Sequence, residues 1–103
     1  MKKIQKQTDD WVKECTTGYF SPHECLARLV EEVGELAREI NHTYGPKKKK
    51  ATERENSIGD ELGDVVFTIA CIANSLDIDL DKSFKGVMKK LYTRDKDRFK
   101  QKK

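Results

Sequence analysis

Two pairs of carboxylates stand three residues apart, Glu32-x-x-Glu35 and Glu61-x-x-Asp64. Carboxylates gathered in such numbers do one of two things: they exchange protons, or they bind hard cations through oxygen. Either pair alone is an ordinary feature of a solvated helix, where residues three apart share a face. Together they mean chemistry only if the elements that carry them bring the pairs to one place.

The first pair lies in a stretch with helical periodicity. Ser21-Pro22-His23-Glu24 offers an N-cap, a proline at the first helical position and a glutamate three residues after the cap. Leu26, Leu29, Val30, Val33, Leu36, Ala37 and Ile40 follow at spacings of three and four, so a helix should run to about Tyr44, before Gly45-Pro46. The second pair opens another helix, from about Ile58 to Leu76. A first helix is expected from about Ile4 to Cys15, stopped at Thr16-Thr17-Gly18, with Ile4, Trp11, Val12 and Cys15 on its apolar side. A fourth should start behind Asp79 as N-cap and carry Phe84, Val87, Met88 and Leu91 on one face. With no repeat and no strand-like alternation, the expected fold class is all-α, a four-helix bundle.

At about 100° per residue, the apolar stripe of the second helix centres between Leu29 and Val33, with Glu32 roughly 90° and Glu35 roughly 150° to one side. In the third helix the stripe centres near Ile69 and Leu76, with Glu61 and Asp64 roughly 80° and 140° away in the same rotational sense. Antiparallel face-to-face packing carries same-sense flanks to the same side. The heights agree too: Glu35 lies roughly 13 Å before the end of its helix and Asp64 roughly 9 Å after the start of its own. Four carboxylates meeting there repel one another and call for protons or cations. Mg²⁺ suits them, since it takes hard oxygen ligands and keeps positions for water and substrate phosphates; a metal-bound water is also a better nucleophile against a phosphate.

The 103 residues suffice for one domain, 1–103, with a flexible basic connection at about 45–57 and a basic C-terminal end at about 95–103. Apolar residues make up 36% and charged residues 38%, so the core is modest but periodic, which argues against wholesale disorder. The net charge is only +3, yet Lys82 to Lys103 carries ten Lys or Arg against two Asp, leaving −5 for the rest. An acidic body with a basic end suits a site where metal and polyanion meet, and equally suits a solvated tail. No apolar run follows the N-terminal lysines, so neither signal peptide nor membrane span is expected and the cytoplasm is the default location. Cys15, Cys25 and Cys71 lack metal-site spacing and read as reduced, half-buried packing residues.

LVEEVGELAREI (Leu29 to Ile40) followed by DELGDVVF (Asp60 to Phe67) closely resembles the MazG-like nucleotide pyrophosphohydrolases of the all-α NTP pyrophosphatase superfamily, which also includes dimeric dUTPases and phosphoribosyl-ATP pyrophosphohydrolase. The motifs, their order and their separation all match. The resemblance implies a helical bundle, usually oligomeric and here completed by dimerisation, that uses Mg²⁺ to cleave an NTP or dNTP to the monophosphate and pyrophosphate. Nucleotide-pool housecleaning is the role such chemistry suits. By motif position Glu32, Glu35, Glu61 and Asp64 would be the metal ligands and catalytic carboxylates. Met88 stands where relatives often carry an asparagine, whereas Lys90 and Arg94 are placed to bind substrate phosphates, and Trp11 offers a flat surface for a base, its alternative being a core anchor.

Glu31 and Asp60 are expected to face solvent, and His23 and His42 to be bystanders. Gly34 and Gly63 would let helices or substrate approach closely. A third helix apolar on nearly every side from Val65 to Ala73 points to a homodimer or higher homo-oligomer. The competing reading is a noncatalytic helical binding module whose basic end, with Lys47 to Lys50, contacts nucleic acid or an acidic partner; no nucleic-acid motif or aromatic interleaving supports it.

Overall fold

The computed structural model describes residues 1–45 and 57–94. The Lys47 to Lys50 run and the end beyond Arg94 lie outside the described residues. Four helices follow in order, α1 (Lys2–Cys15), α2 (Pro22–Tyr44), α3 (Ile58–Ser75) and α4 (Leu80–Thr93), with no strand among the described residues. The all-α, four-helix expectation holds.

Local chemistry sets the helix ends. Ser21 Oγ accepts from Glu24 N (3.2 Å), while Glu24 Oε1 accepts from Ser21 N (3.0 Å), the reciprocal box expected behind Pro22. The same arrangement starts α3, where Ser57 and Asp60 cap each other. Asp60 therefore has a job, capping, although it is exposed as expected. Asp79 caps α4 by accepting from Asp81 N and Lys82 N. α3 ends in a left-handed residue, Asp77 (φ 55°), with Ile78 N donating to Ala73 O (2.8 Å) and Asp77 N to Asn74 O (3.3 Å). These two bonds close a Schellman turn with aspartate where glycine is usual.

α2 and α3 pack along their lengths as an antiparallel hairpin, and α1 lies against α3. Trp11 meets Phe67 edge to face at 5.7 Å between ring centroids. Gln5, earlier on α1, joins Asn74, later on α3, through Gln5 Nε2 to Asn74 Oδ1 (3.0 Å) and Asn74 Nδ2 to Gln5 O (2.9 Å). α4 packs extensively on none of the others. It is tied by its first turn: Leu80 N donates to Gln5 Oε1 (3.0 Å), and Asp81 accepts from Lys2 N (3.0 Å), supplying α1 with an anionic partner at its positive end.

The inward face of α2 differs from the one expected. Cys25, Leu29, Glu32, Leu36 and Glu39 turn inward, while Leu26, Val30, Val33 and Ile40 are exposed, Val33 by 48%. Two apolar stripes compete on this helix, and within one chain the one interleaved with glutamates is covered. On α3, Ala70 and Cys71, which the apolar spacing sets facing away from the stripe that packs on α2, are buried and half-buried, and Cys71 shares a cavity wall with residues of both α1 and α2. Cys15 is exposed, contrary to the expectation for all three cysteines. The fully sheltered apolar residues are few, Val12, Cys25, Ala70 and Ala73, so a single chain has a small core.

Candidate active site

Three of the four motif carboxylates converge. Glu32 from α2, and Glu61 and Asp64 from α3, each place one oxygen so that all three lie within 4.8 Å of one another. Their burial is unequal, because Glu61 sits on the inward face of α3 (2% exposed), Glu32 is half-buried and Asp64 faces solvent. The carboxylates thus lie in the helix interface and at its lip, not wholly on its flank as the wheel placed them. Glu35 is exposed and outside this trio, yet close enough for its charge to act on Glu32 and Glu61.

Burial, then the charges of Glu35 and Asp64, push the Glu32 carboxyl above the usual glutamate range; Arg28 pulls the other way. Glu61 is raised by burial first, then by Glu35, Asp64, Glu32 and Glu39. Glu32 Oε2 and Glu61 Oε2 are buried without a hydrogen-bond partner among the described residues. A buried carboxylate oxygen left unpaired is costly, and a cation relieves both that cost and the mutual repulsion. An all-oxygen donor set with bare buried oxygens fits Mg²⁺.

Glu39 was missed by the sequence reading. It is 7% exposed, and its charge reaches Glu61. Its place seven residues after Glu32 and four after Glu35, which puts all three on adjoining helical positions, was the available signal. His42 is half-buried on the same side of α2, and His23 and Glu31 are exposed. A Cβ at Gly34 or Gly63 would meet nothing within 4 Å, so neither glycine marks a close approach among the described residues.

Beside the carboxylates is a cavity of about 460 Å³ walled by Trp11, Tyr19, Phe20 and Phe67, with Cys25 and Cys71 beneath. Trp11, 50% exposed, leans on Phe67 and also lines this space. The turn above the cavity is pinned at both ends. Thr16 Oγ1 accepts from Gly18 N (3.0 Å) and donates to Val12 O (2.7 Å). Tyr19 Oη donates to Asp9 Oδ1 (2.6 Å) and accepts from Asn74 Nδ2 (3.0 Å). Burial, followed by the Asp9 bond, pushes the Tyr19 phenol up to about 12.

Lys90 and Arg94 lie roughly 15 and 21 Å along α4 from its anchored start, and neither is among the charges that act most on Glu32 or Glu61. No helix among the described residues is long and apolar enough to cross a membrane.

Comparison with known proteins places the chain in a family. The MazG nucleotide pyrophosphohydrolase domain matches residues 20–99. The uncharacterized protein YpjD of Bacillus subtilis is 54% identical over 99 residues, spanning 96% of this chain and 89% of its own. The crystal structure of YpjD superposes with a TM-score of 0.82 at 52% identity, covering 92% of this chain and 95% of that one. A Bacillus-conserved MazG protein, a nucleotide pyrophosphohydrolase, gives 0.77 at 51% identity with 93% of each chain covered. iMazG from Vibrio DAT 722, at 24% identity and a TM-score of 0.60, shares the fold, with 89% of this chain and 95% of its own covered. With the profile spanning both carboxylate motifs and the relatives matching nearly end to end, this chain belongs to the MazG nucleotide pyrophosphohydrolase family.

Proposed function

We propose that the protein is a Mg²⁺-dependent nucleoside triphosphate pyrophosphohydrolase, cleaving an NTP or dNTP to the monophosphate and pyrophosphate in the cytoplasm. The observation that carries this reading is the pair of bare buried oxygens, Glu32 Oε2 and Glu61 Oε2, in a trio of carboxylates within 4.8 Å. Such a group has no structural use for its cost unless a cation is held there. Glu32, Glu61 and Asp64 would hold the metal, and Glu35, at the exposed lip, would complete the ligand set as phosphate arrives. When bound, the metal screens charge on the phosphate and makes its water a stronger nucleophile.

The rest of the substrate needs an apolar seat for its base and cations for its phosphates. Trp11, with Phe67 behind it, gives the base an aromatic wall in the adjoining cavity. Lys90 and Arg94 are the proposed phosphate cations, and since α4 packs extensively on no other helix of its own chain, they would serve the site of a second copy. Exposed apolar faces on α2 (Leu26, Val30, Val33, Ile40) and α4 (Phe84, Val87, Leu91) are what such a copy would cover.

The test is incubation of the purified protein with a panel of nucleoside triphosphates and Mg²⁺, with products identified by phosphorus NMR. Monophosphate and pyrophosphate are expected, abolished by chelation. In the same assay Trp11→Phe should raise KM. A protein that binds no Mg²⁺ and leaves every triphosphate intact would favour the binding-module reading.

A further inference from the structure

The acidic cluster and the aromatic cavity share a border one helical turn thick. On α3 that turn separates Asp64 from Thr68, whose Oγ1 donates to Asp64 O (3.0 Å) and which lines the cavity. On α2 it separates Glu32 from Arg28, which also lines the cavity. Arg28 Nη2 lies 3.8 Å from Glu32 Oε1, and its side chain is 56% exposed. The same guanidinium charge reaches the other way, lowering the thiol pKa of Cys25 and Cys71 against the larger effect of their burial. One cation thus faces both rooms.

Its pairing with Glu32 is loose. At 3.8 Å the contact is longer than the 2.7–2.9 Å or so of a charge-assisted hydrogen bond, it is single where arginine and carboxylate can pair through two, and its guanidinium end is more than half open to water. Most of the five N–H donors therefore remain uncommitted among the described residues. A base in the cavity and a triphosphate at the carboxylates would leave the sugar and first phosphate at this border, where a planar fork of donors matches phosphate oxygens.

We propose that Arg28 is a substrate-binding residue that rests against Glu32 in the empty site and turns to the first phosphate of a bound nucleotide. This rests on the functional reading above. The resting contact keeps a positive charge near Glu32 until substrate and cation arrive, and the release leaves Glu32 Oε1 to the cation when the guanidinium is needed elsewhere.

The experiment compares wild type with Arg28→Ala and Arg28→Lys in three measurements: steady-state kinetics on the preferred triphosphate, Kd for its α,β-methylene analogue, and Mg²⁺ affinity without nucleotide by calorimetry. Arg28→Ala should weaken the analogue and raise KM by tenfold or more, with a smaller loss in kcat. Mg²⁺ affinity should stay equal or rise, because a competing cation is gone. Arg28→Lys should restore part of the analogue affinity. Analogue affinity within twofold of wild type in Arg28→Ala would overturn the proposal, as would a loss matched by an equal fall in Mg²⁺ affinity and melting temperature, the mark of a structural role. A wild type that hydrolyses no triphosphate would overturn the functional reading and this inference with it; an active wild type with an unaffected Arg28→Ala removes Arg28 alone.

Discussion

Glu35 and Glu61 belong to the two motifs that face each other but differ in surroundings, and that difference can be measured. Glu61 is sheltered with an unpartnered oxygen, whereas Glu35 stands in solvent. Removing a charge from Glu61 relieves burial and repulsion together, while removing it from Glu35 relieves repulsion alone. Glu61→Gln should therefore raise the melting temperature of the metal-free protein, and Glu35→Gln should change it less. Both should shrink the rise in melting temperature caused by Mg²⁺ and lower turnover by at least about a hundredfold, the scale of losing an essential electrostatic group. A metal-free Glu61→Gln protein markedly less stable than wild type would mean that the carboxylate is structural.

At the scale of elements, α1 is held to α3 and to the start of α4 by a polar chain: Asp9, Tyr19, Asn74 and Gln5. Tyr19 is its centre, and its neutral form is favoured in the fold because burial and the Asp9 bond raise its pKa from 10.0 to about 12. The folded state therefore keeps a proton that the unfolded chain releases near 10. The stability it contributes is present below pH 10 and lost as pH rises from about 10 to about 12. Ultraviolet titration should show one late-ionising tyrosine, absent in Tyr19→Phe. The variant should also lose less stability across that interval, since its ring has no proton to surrender. Equal alkaline stability profiles for the two proteins would contradict the assignment.

The arrangement of the described residues is too open for their number. Its radius of gyration is 17.2 Å, against about 13 Å for a compact domain of roughly 100 residues, and α4 projects with an apolar face uncovered. So small a core supplies little of the burial that offsets chain entropy. Sedimentation equilibrium should accordingly show a dimer or larger assembly at micromolar concentration. Val33→Glu, at a site exposed in the single chain, should shift the protein toward monomer and lower its melting temperature. A stable wild-type monomer would remove the second copy. Where assembly holds, mixing Glu61→Gln with a Lys90→Ala, Arg94→Ala protein tests whether α4 serves a partner's site: partial recovery of activity is expected only if it does.

Much of this was legible in the chain because its causes are local. Ser21-Pro22-His23-Glu24 and Asp79 announce helix starts through hydrogen bonds reaching only three residues, and the four helix spans follow from them and from apolar spacing. The convergence of Glu32, Glu61 and Asp64 was accessible for a related reason, since helical geometry is rigid enough to project spacing into space. What the residues could not decide was which of two faces of α2 turns inward. Leu26, Val30, Val33 and Ile40 outweigh the face carrying Cys25, Glu32 and Glu39 in apolar character, yet within one chain the latter is covered. Hydrophobic patterning reports that a face will be buried, not what will bury it. Only the tertiary arrangement assigned the glutamate face to α3, left the greasier one open, and set Arg28 between an acidic cluster and a cavity built from α1, α2, α3 and the turn between the first two.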